Sequence, residues 1–227
     1  MFDPSKYTAQ KAKPIPVLLL LDVSSSMSGA PIQELNKALK EMLSTFSQAE
    51  KMETEIIVSI ITFGNEVIRN FPFTKASEIN FKQIDAYGMT PMGSALRMAK
   101  DMIEDKDETP SRAYRPTVVL LSDGAPNDEW ESPLKDFISN GRSAKCDRMA
   151  MAIGQGADES VLNRFIEGCE HPLFRAENAS EISSFFQKVT MSVTTRLNAK
   201  NPNEVPKLSY DNPIVETKAN DDDDGFF

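Results

Sequence analysis

Apolar residues along this chain keep two alternating rhythms: short unbroken runs, and longer stretches in which they recur every three or four positions. Ile15 to Leu21 is one unbroken run, as expected of a strand covered on both faces. Pro31 then opens a helix at a position where its missing N–H is no loss. Ile32, Leu35, Leu39, Met42, Leu43 and Phe46 follow at helical spacing and give that helix one buried face. Ile56 to Phe63 is a second buried strand. Gly64-Asn65 suits a two-residue hairpin loop into Val67–Phe73. Pro72 cannot donate to a ladder, so this third strand belongs at a sheet edge.

The same rhythms continue to the end of the pattern. Ala95, Leu96, Ala99, Met102 and Ile103 mark a second helix, and Thr117 to Leu121 a fourth strand. Leu134, Phe137 and Ile138 mark the next helix, and Met149 to Ile153 a fifth strand. Val161, Leu162, Phe165 and Ile166 form a helix, followed by a short strand at Leu173-Phe174. Ile182, Phe185, Phe186, Val189 and Val193 carry the last helix. This alternation predicts an α/β fold, with a mostly parallel sheet, helices on both faces and one antiparallel hairpin at its edge. Three zones result: a polar lead-in over 1–14, a globular domain over 15–196, and an acidic tail over 197–227.

Composition narrows the function classes. A chain of 227 residues with 40% hydrophobic and 26% charged residues is ordinary for one soluble domain. A net charge of −9 would repel nucleic-acid phosphates, and fits basic partners or cations held at a concentrated acidic site. Cys146 and Cys169 have neither metal-ligand spacing nor a disulfide framework, so both read as buried, reduced thiols. Residues 1–14 contain no apolar signal-peptide core, and Val17 to Leu21 is too short to span a bilayer. The expectation is a cytoplasmic protein with neither nucleic acid nor membrane as partner.

In open α/β sheets ligands bind beyond the carboxyl ends of the strands, so the residues just after each strand carry the search. Strand one runs into Asp22-Val23-Ser24-Ser25-Ser26. In extended chain, residues i, i+2 and i+4 project to one side, which brings one carboxylate and two hydroxyls together. Strand four ends in Ser122-Asp123-Gly124, a second carboxylate at the same sheet edge, and Thr90 adds a hydroxyl just before a helix. Hard oxygen ligands from three loops suit Mg²⁺, or Mn²⁺, better than Zn²⁺. With only two carboxylates nearby, such an ion keeps residual positive charge, which an incoming Asp or Glu would complete.

Asp22-x-Ser24-x-Ser26, Thr90 and Asp123 together resemble the metal-ion-dependent adhesion site (MIDAS) of von Willebrand factor A domains. The resemblance covers about residues 15–196 and implies a Rossmann-like six-stranded sheet of order 3-2-1-4-5-6 with strand three antiparallel. It implies Ser24, Ser26 and Thr90 as hydroxyl ligands, with Asp22 and Asp123 bound directly or through water. The stretches PVLLLLDVSSSMSGAPI, SIITFGNEV, GMTPMGSAL and LLSDGAPNDEW are similar to TerY-like proteins, stand-alone bacterial A domains of tellurite-resistance gene clusters. That similarity implies partnership with a serine/threonine kinase and a PP2C-type phosphatase in stress-response or phage-defence modules. Some such proteins have a Cys- and His-rich C-terminal region; this chain has one histidine and an acidic tail, so no zinc-dependent role carries over.

The resulting expectation is a metal-dependent protein-interaction module and not an enzyme. The rival is a Mg²⁺-dependent phosphohydrolase with Asp22 as nucleophile, but Ser24 stands where such enzymes place a second acid and no companion lysine is evident. Plainer roles remain for several residues. Ser122 reads as a turn residue sooner than as a group that supports a metal ligand, and His171 as a surface or capping residue. Trp130 suits either a partner surface or packing, as do Met89 and Met92 flanking Thr90. Asp221 to Asp224 read as a solvated charge run, or as part of a peptide that docks on a partner through Phe226 and Phe227.

Overall fold

A computed structural model describes residues 12–50 and 54–206. The readings for residues 1–11 and for the distal tail, including Asp221 to Asp224, Phe226 and Phe227, lie outside the described residues.

Six strands form one sheet: β1 (Lys13–Asp22), β2 (Thr54–Phe63), β3 (Val67–Lys75), β4 (Thr117–Ser122), β5 (Asp147–Ile153) and β6 (Phe174–Ala176). Their order is β3-β2-β1-β4-β5-β6, with β3 antiparallel to β2 and the remaining pairs parallel. Among the described residues five α-helices complete the fold: α1 (Ala30–Ala49), α2 (Met92–Glu104), α3 (Glu131–Ser139), α4 (Glu159–Phe165) and α5 (Ser180–Asn198). β1 begins at Lys13, two residues inside the stretch read as a lead-in, because Lys13 and Pro14 pair with Thr54 and Glu55 of β2. β6 lies slightly beyond the predicted Leu173-Phe174, since its pairing with β5 runs over Phe174, Arg175 and Ala176.

The central strand explains the unbroken apolar run. Val17, Leu19 and Leu21 pack under α1 and α5, whereas Leu18 and Leu20 pack under α2, α3 and α4. All five are fully buried, and each contributes roughly 1.5–3 kcal/mol relative to an exposed side chain. β3 sits at the edge that Pro72 requires. Its register with β2 slips between Val58 and Ile60, where Pro72 and Phe73 face the single residue Ser59, and the buried Ser59 hydroxyl donates to the Phe71 carbonyl at 2.7 Å. Among the described residues no helix is long and apolar enough to cross a membrane.

The amino end of the sheet is closed by arginines. Arg196 of α5 is fully buried; its guanidinium donates to the Pro202 carbonyl at 2.8 Å, to the Thr117 hydroxyl at 2.7 Å and to the Arg115 carbonyl. Arg148 reaches the Phe165 and Glu167 carbonyls, both at 2.6 Å. His171 is buried against Asp147, with Nε2 within 3.1 Å of its carboxylate, and so is not the surface or capping residue its sequence context suggests. Of the two thiols, Cys146 is buried and Cys169 only partly so.

Candidate functional site

β1 ends at Asp22, and a short 3-10 turn over Ser25–Met27 follows. Leu21 and Asp22 continue the pairing with β2, so Asp22 is still part of the sheet and is fully buried. Its carboxylate is held from two sides. The Ser24 backbone N–H donates to Oδ1 at 2.9 Å, and the buried Ser122 hydroxyl donates to Oδ2 at 2.6 Å. Ser122 is therefore more than a turn residue: it fixes the Asp22 carboxylate from the neighbouring strand. Burial pushes the Asp22 pKa up from 3.8 to about 6; the bonds from Ser122 and Ser24 oppose this, and the nearby Asp123 charge adds to it.

In front of Asp22 lie Ser24, Ser26 and Asp123. The Ser24 and Ser26 hydroxyls are 3.0 Å apart, and both donate to Asp123 Oδ1, at 3.2 and 3.0 Å. Ser24 is buried, Asp123 half-buried and Ser26 exposed, so the cluster opens from the sheet toward solvent. Thr90 enters from the loop before α2. Its hydroxyl stands 3.4 Å from where a Cβ on Gly124 would lie, against the backbone that follows Asp123. The five positions singled out in the sequence thus meet at one end of the sheet, contributed by three separate segments.

Sequence reading missed what holds Thr90. Asn127 brackets it: Oδ1 accepts from the Thr90 N–H at 3.0 Å, and its own N–H donates to the Thr90 carbonyl at 3.1 Å. Asp128 caps α2 from outside, accepting from Gly93 N and Ser94 N, both at 2.8 Å. Only glycine fits at 93, where a Cβ would stand 2.0 Å from the Glu129 carbonyl oxygen. The one signal of Asn127-Asp128 in the sequence is two side chains capable of capping shortly after a strand.

The loop before Thr90 is pinned to the loop after β1. Tyr87 N donates to the Val23 carbonyl at 2.7 Å, Ser25 N to the Gly88 carbonyl at 3.1 Å, and Gly88 N to the Ser25 hydroxyl at 3.0 Å. Gly88 has φ of +90°, and a Cβ there would strike the Asn65 nitrogen at 2.1 Å, so glycine is required on both counts. Around this loop the two methionines separate: Met92 is buried in the core, Met89 is 61% exposed. Trp130 is half-buried, packs against the core beneath α2 to α4 and lies under the Arg164 guanidinium.

Two carboxylates and three hydroxyls, one carboxylate buried and without a cationic partner among the described residues, fit a divalent cation by donor chemistry. No group of three or more His, Cys, Asp or Glu side chains suited to a metal is found among the described residues, so this is a hydroxyl-rich site and not a carboxylate cage. The von Willebrand factor type A domain family model matches residues 17–188, and the chain belongs to that family. Domains of this family are known for protein–protein interaction and metal-dependent binding. The chain is 23% identical to matrilin-3 of Gallus gallus over 190 residues, covering 80% of this chain and 40% of that protein. Among solved structures it is similar to proximal thread matrix protein 1 of the mussel byssus with a zinc-occupied MIDAS motif, with a TM-score of 0.61, 16% identity, and coverage of 80% of this chain and 48% of that one. It also resembles a von Willebrand factor type A protein from Catenulispora acidiphila, with a TM-score of 0.62, 14% identity, and coverage of 80% and 42%. The chain thus spans less than half the length of these relatives, and the structural likenesses define its fold.

Proposed function

We propose that this protein is a metal-dependent protein-interaction module, in which Asp22, Ser24, Ser26, Thr90 and Asp123 hold Mg²⁺ or Mn²⁺ and a partner supplies an Asp or Glu. The observation that carries this reading is the meeting of the Ser24 and Ser26 hydroxyls on one oxygen of Asp123, with the Asp22 carboxylate buried directly behind. Ser24 and Ser26 sit where their oxygens would turn toward a cation once their protons rotate away from Asp123. Ser122 and the Ser24 N–H orient Asp22. A bound divalent ion would supply the positive charge that offsets the two carboxylates and a coordination position for the partner's acid. The mussel protein's occupied motif supports a divalent cation at this kind of site.

Hydrolysis with Asp22 as nucleophile fits the geometry poorly. Asp22 is fully buried, both its oxygens accept hydrogen bonds, and the residue two positions on is Ser24, which bonds to Asp123. The similarity of several stretches to TerY-like proteins supports a bacterial cytoplasmic adaptor or regulator in a stress-response, tellurite-resistance or phage-defence module, with a serine/threonine kinase and a PP2C-type phosphatase as partners. Partner capture from cell extract with Mg²⁺ and with EDTA, repeated with Asp22→Ala and Asp123→Ala, tests the reading. Capture lost in all three challenges is expected; capture indifferent to them would overturn it.

A further inference from the structure

Among the described residues four large hydrophobic side chains are exposed: Ile68 at 38%, Tyr87 at 47%, Met89 at 61% and Met191 at 49%. Two of them stand beside the candidate site, and a third lies on the adjoining edge strand. Tyr87 and Met89 flank Gly88, the residue pinned to Ser25, and Met89 is bonded to Thr90. Ile68 pairs with Thr62, one step from the hairpin turn whose Asn65 lies against Gly88. Met191 lies on α5, away from this end. The apolar flank is therefore one-sided: it runs from Thr90 toward the β3 edge, whereas the loop beyond Asp123 continues with the small residues Gly124 and Ala125.

Exposure here is imposed by the backbone. The bonds from Tyr87 N to Val23 O and from Ser25 N to Gly88 O fix both ends of the turn, and the positive φ of Gly88 sets its direction. A turn already fixed gives up little further backbone freedom on contact, which favours the use of its side chains as anchors. A partner chain whose carboxylate enters the site places its next residues about 3.8 Å further on per step, within reach of Met89 and Tyr87.

We infer that the partner presents an acidic residue with a large apolar side chain one or two positions away, and that this side chain lies on Tyr87 and Met89. This inference rests on the proposed metal-bridged function and specifies which carboxylates it accepts. The test is selection of a random peptide library on the full chain in Mg²⁺, with elution by EDTA, alongside calorimetric titration of Mg²⁺ alone. Eluted peptides are expected to carry Asp or Glu with Leu, Met, Phe, Tyr or Trp at one or two positions' distance. Tyr87→Ser and Met89→Ser should each weaken the best peptide about tenfold and leave Mg²⁺ affinity unchanged, while Met191→Ser changes neither. Acidic peptides with no apolar neighbour preference, or affinity unmoved by both serine variants, would overturn the inference and leave the metal reading standing. Failure of Mg²⁺ to bind the wild-type chain would instead overturn the proposed function and the inference with it.

Discussion

The two ends of the sheet each bury a charge, and they treat it in opposite ways. At the amino end the Arg196 guanidinium meets two carbonyls and a hydroxyl, from Pro202, Arg115 and Thr117. Burial lowers its pKa to about 10, which leaves it charged at every ordinary pH. At the carboxyl end Asp22 receives one N–H and one hydroxyl, faces a second carboxylate, and is pushed up to about 6. Fixed dipoles and the nearby Asp147 charge stabilise the arginine, so that end ties α5 to β4 and asks for nothing further. No cationic side chain among the described residues is paired with the aspartate at neutral pH, and the proposed metal ion would balance its charge. Buried charge of similar depth is thus structural at one end and, under the proposed function, a metal ligand at the other.

Removing Arg196 breaks the structural half of this contrast and has the largest expected effect. Arg196→Ala leaves two carbonyls and the Thr117 hydroxyl buried without their donor, and should cost about 3–5 kcal/mol in urea denaturation. Mg²⁺ affinity of the remaining folded protein should barely change; a large loss would mean that the two ends are coupled.

The aspartate half is read from pH. Because the Asp22 pKa in the fold lies above its value of 3.8, the folded protein holds the proton more tightly than the unfolded chain. Metal-free stability is then unpenalised below about pH 4 and falls as pH rises toward 6, by about 3 kcal/mol in all from this one group. Asp22→Asn should remove that pH-dependent loss, so the variant gains on wild type across this window, whatever constant cost its amide incurs against the Ser24 N–H and the Ser122 hydroxyl. A difference between the two curves that stays flat from pH 4 to 7 would contradict the assignment.

Adding the cation should reverse the penalty. Mg²⁺ at about 100 times its Kd is expected to stabilise the wild type by about 2.7 kcal/mol in a thermal melt and to leave Asp123→Ala unchanged. A smaller effect sharpens the comparison: Asn127→Ala removes the side-chain acceptor of the Thr90 N–H while the backbone bond to the Thr90 carbonyl remains, and should weaken Mg²⁺ binding about tenfold, with about 1 kcal/mol lost in stability. Calorimetry on both proteins separates the two quantities.

Most of the fold was legible because period and burial are local properties. The run through Leu18 to Leu21 required two covered faces, and Pro72 required an edge; the sheet order honours both. Asp22, Ser24 and Ser26 were legible for the same reason, since alternating spacing in extended chain places them together without help from the rest of the molecule. Asp123 and Thr90 were found by their positions beyond a strand and before a helix. Ser122, Asn127 and Asp128 were not, because nothing in a turn-like sequence says which backbone it will meet. His171 shows the same limit: its neighbours in sequence gave no partner, while β5 brings Asp147 to it across 24 positions.

The sequence by itself determined which residues are apolar, with what period, and therefore the layered α/β plan and the carboxylate that ends β1 with the hydroxyls that follow it. Only the tertiary structure decided that Ser122 holds Asp22, that Asn127 grips Thr90, and that Met89 points out while Met92 points in. Those outcomes depend on contacts between segments far apart in the chain, whose geometry is set by strand register and by close approaches such as those at Gly88 and Gly93. Residue type alone carries no information about such approaches.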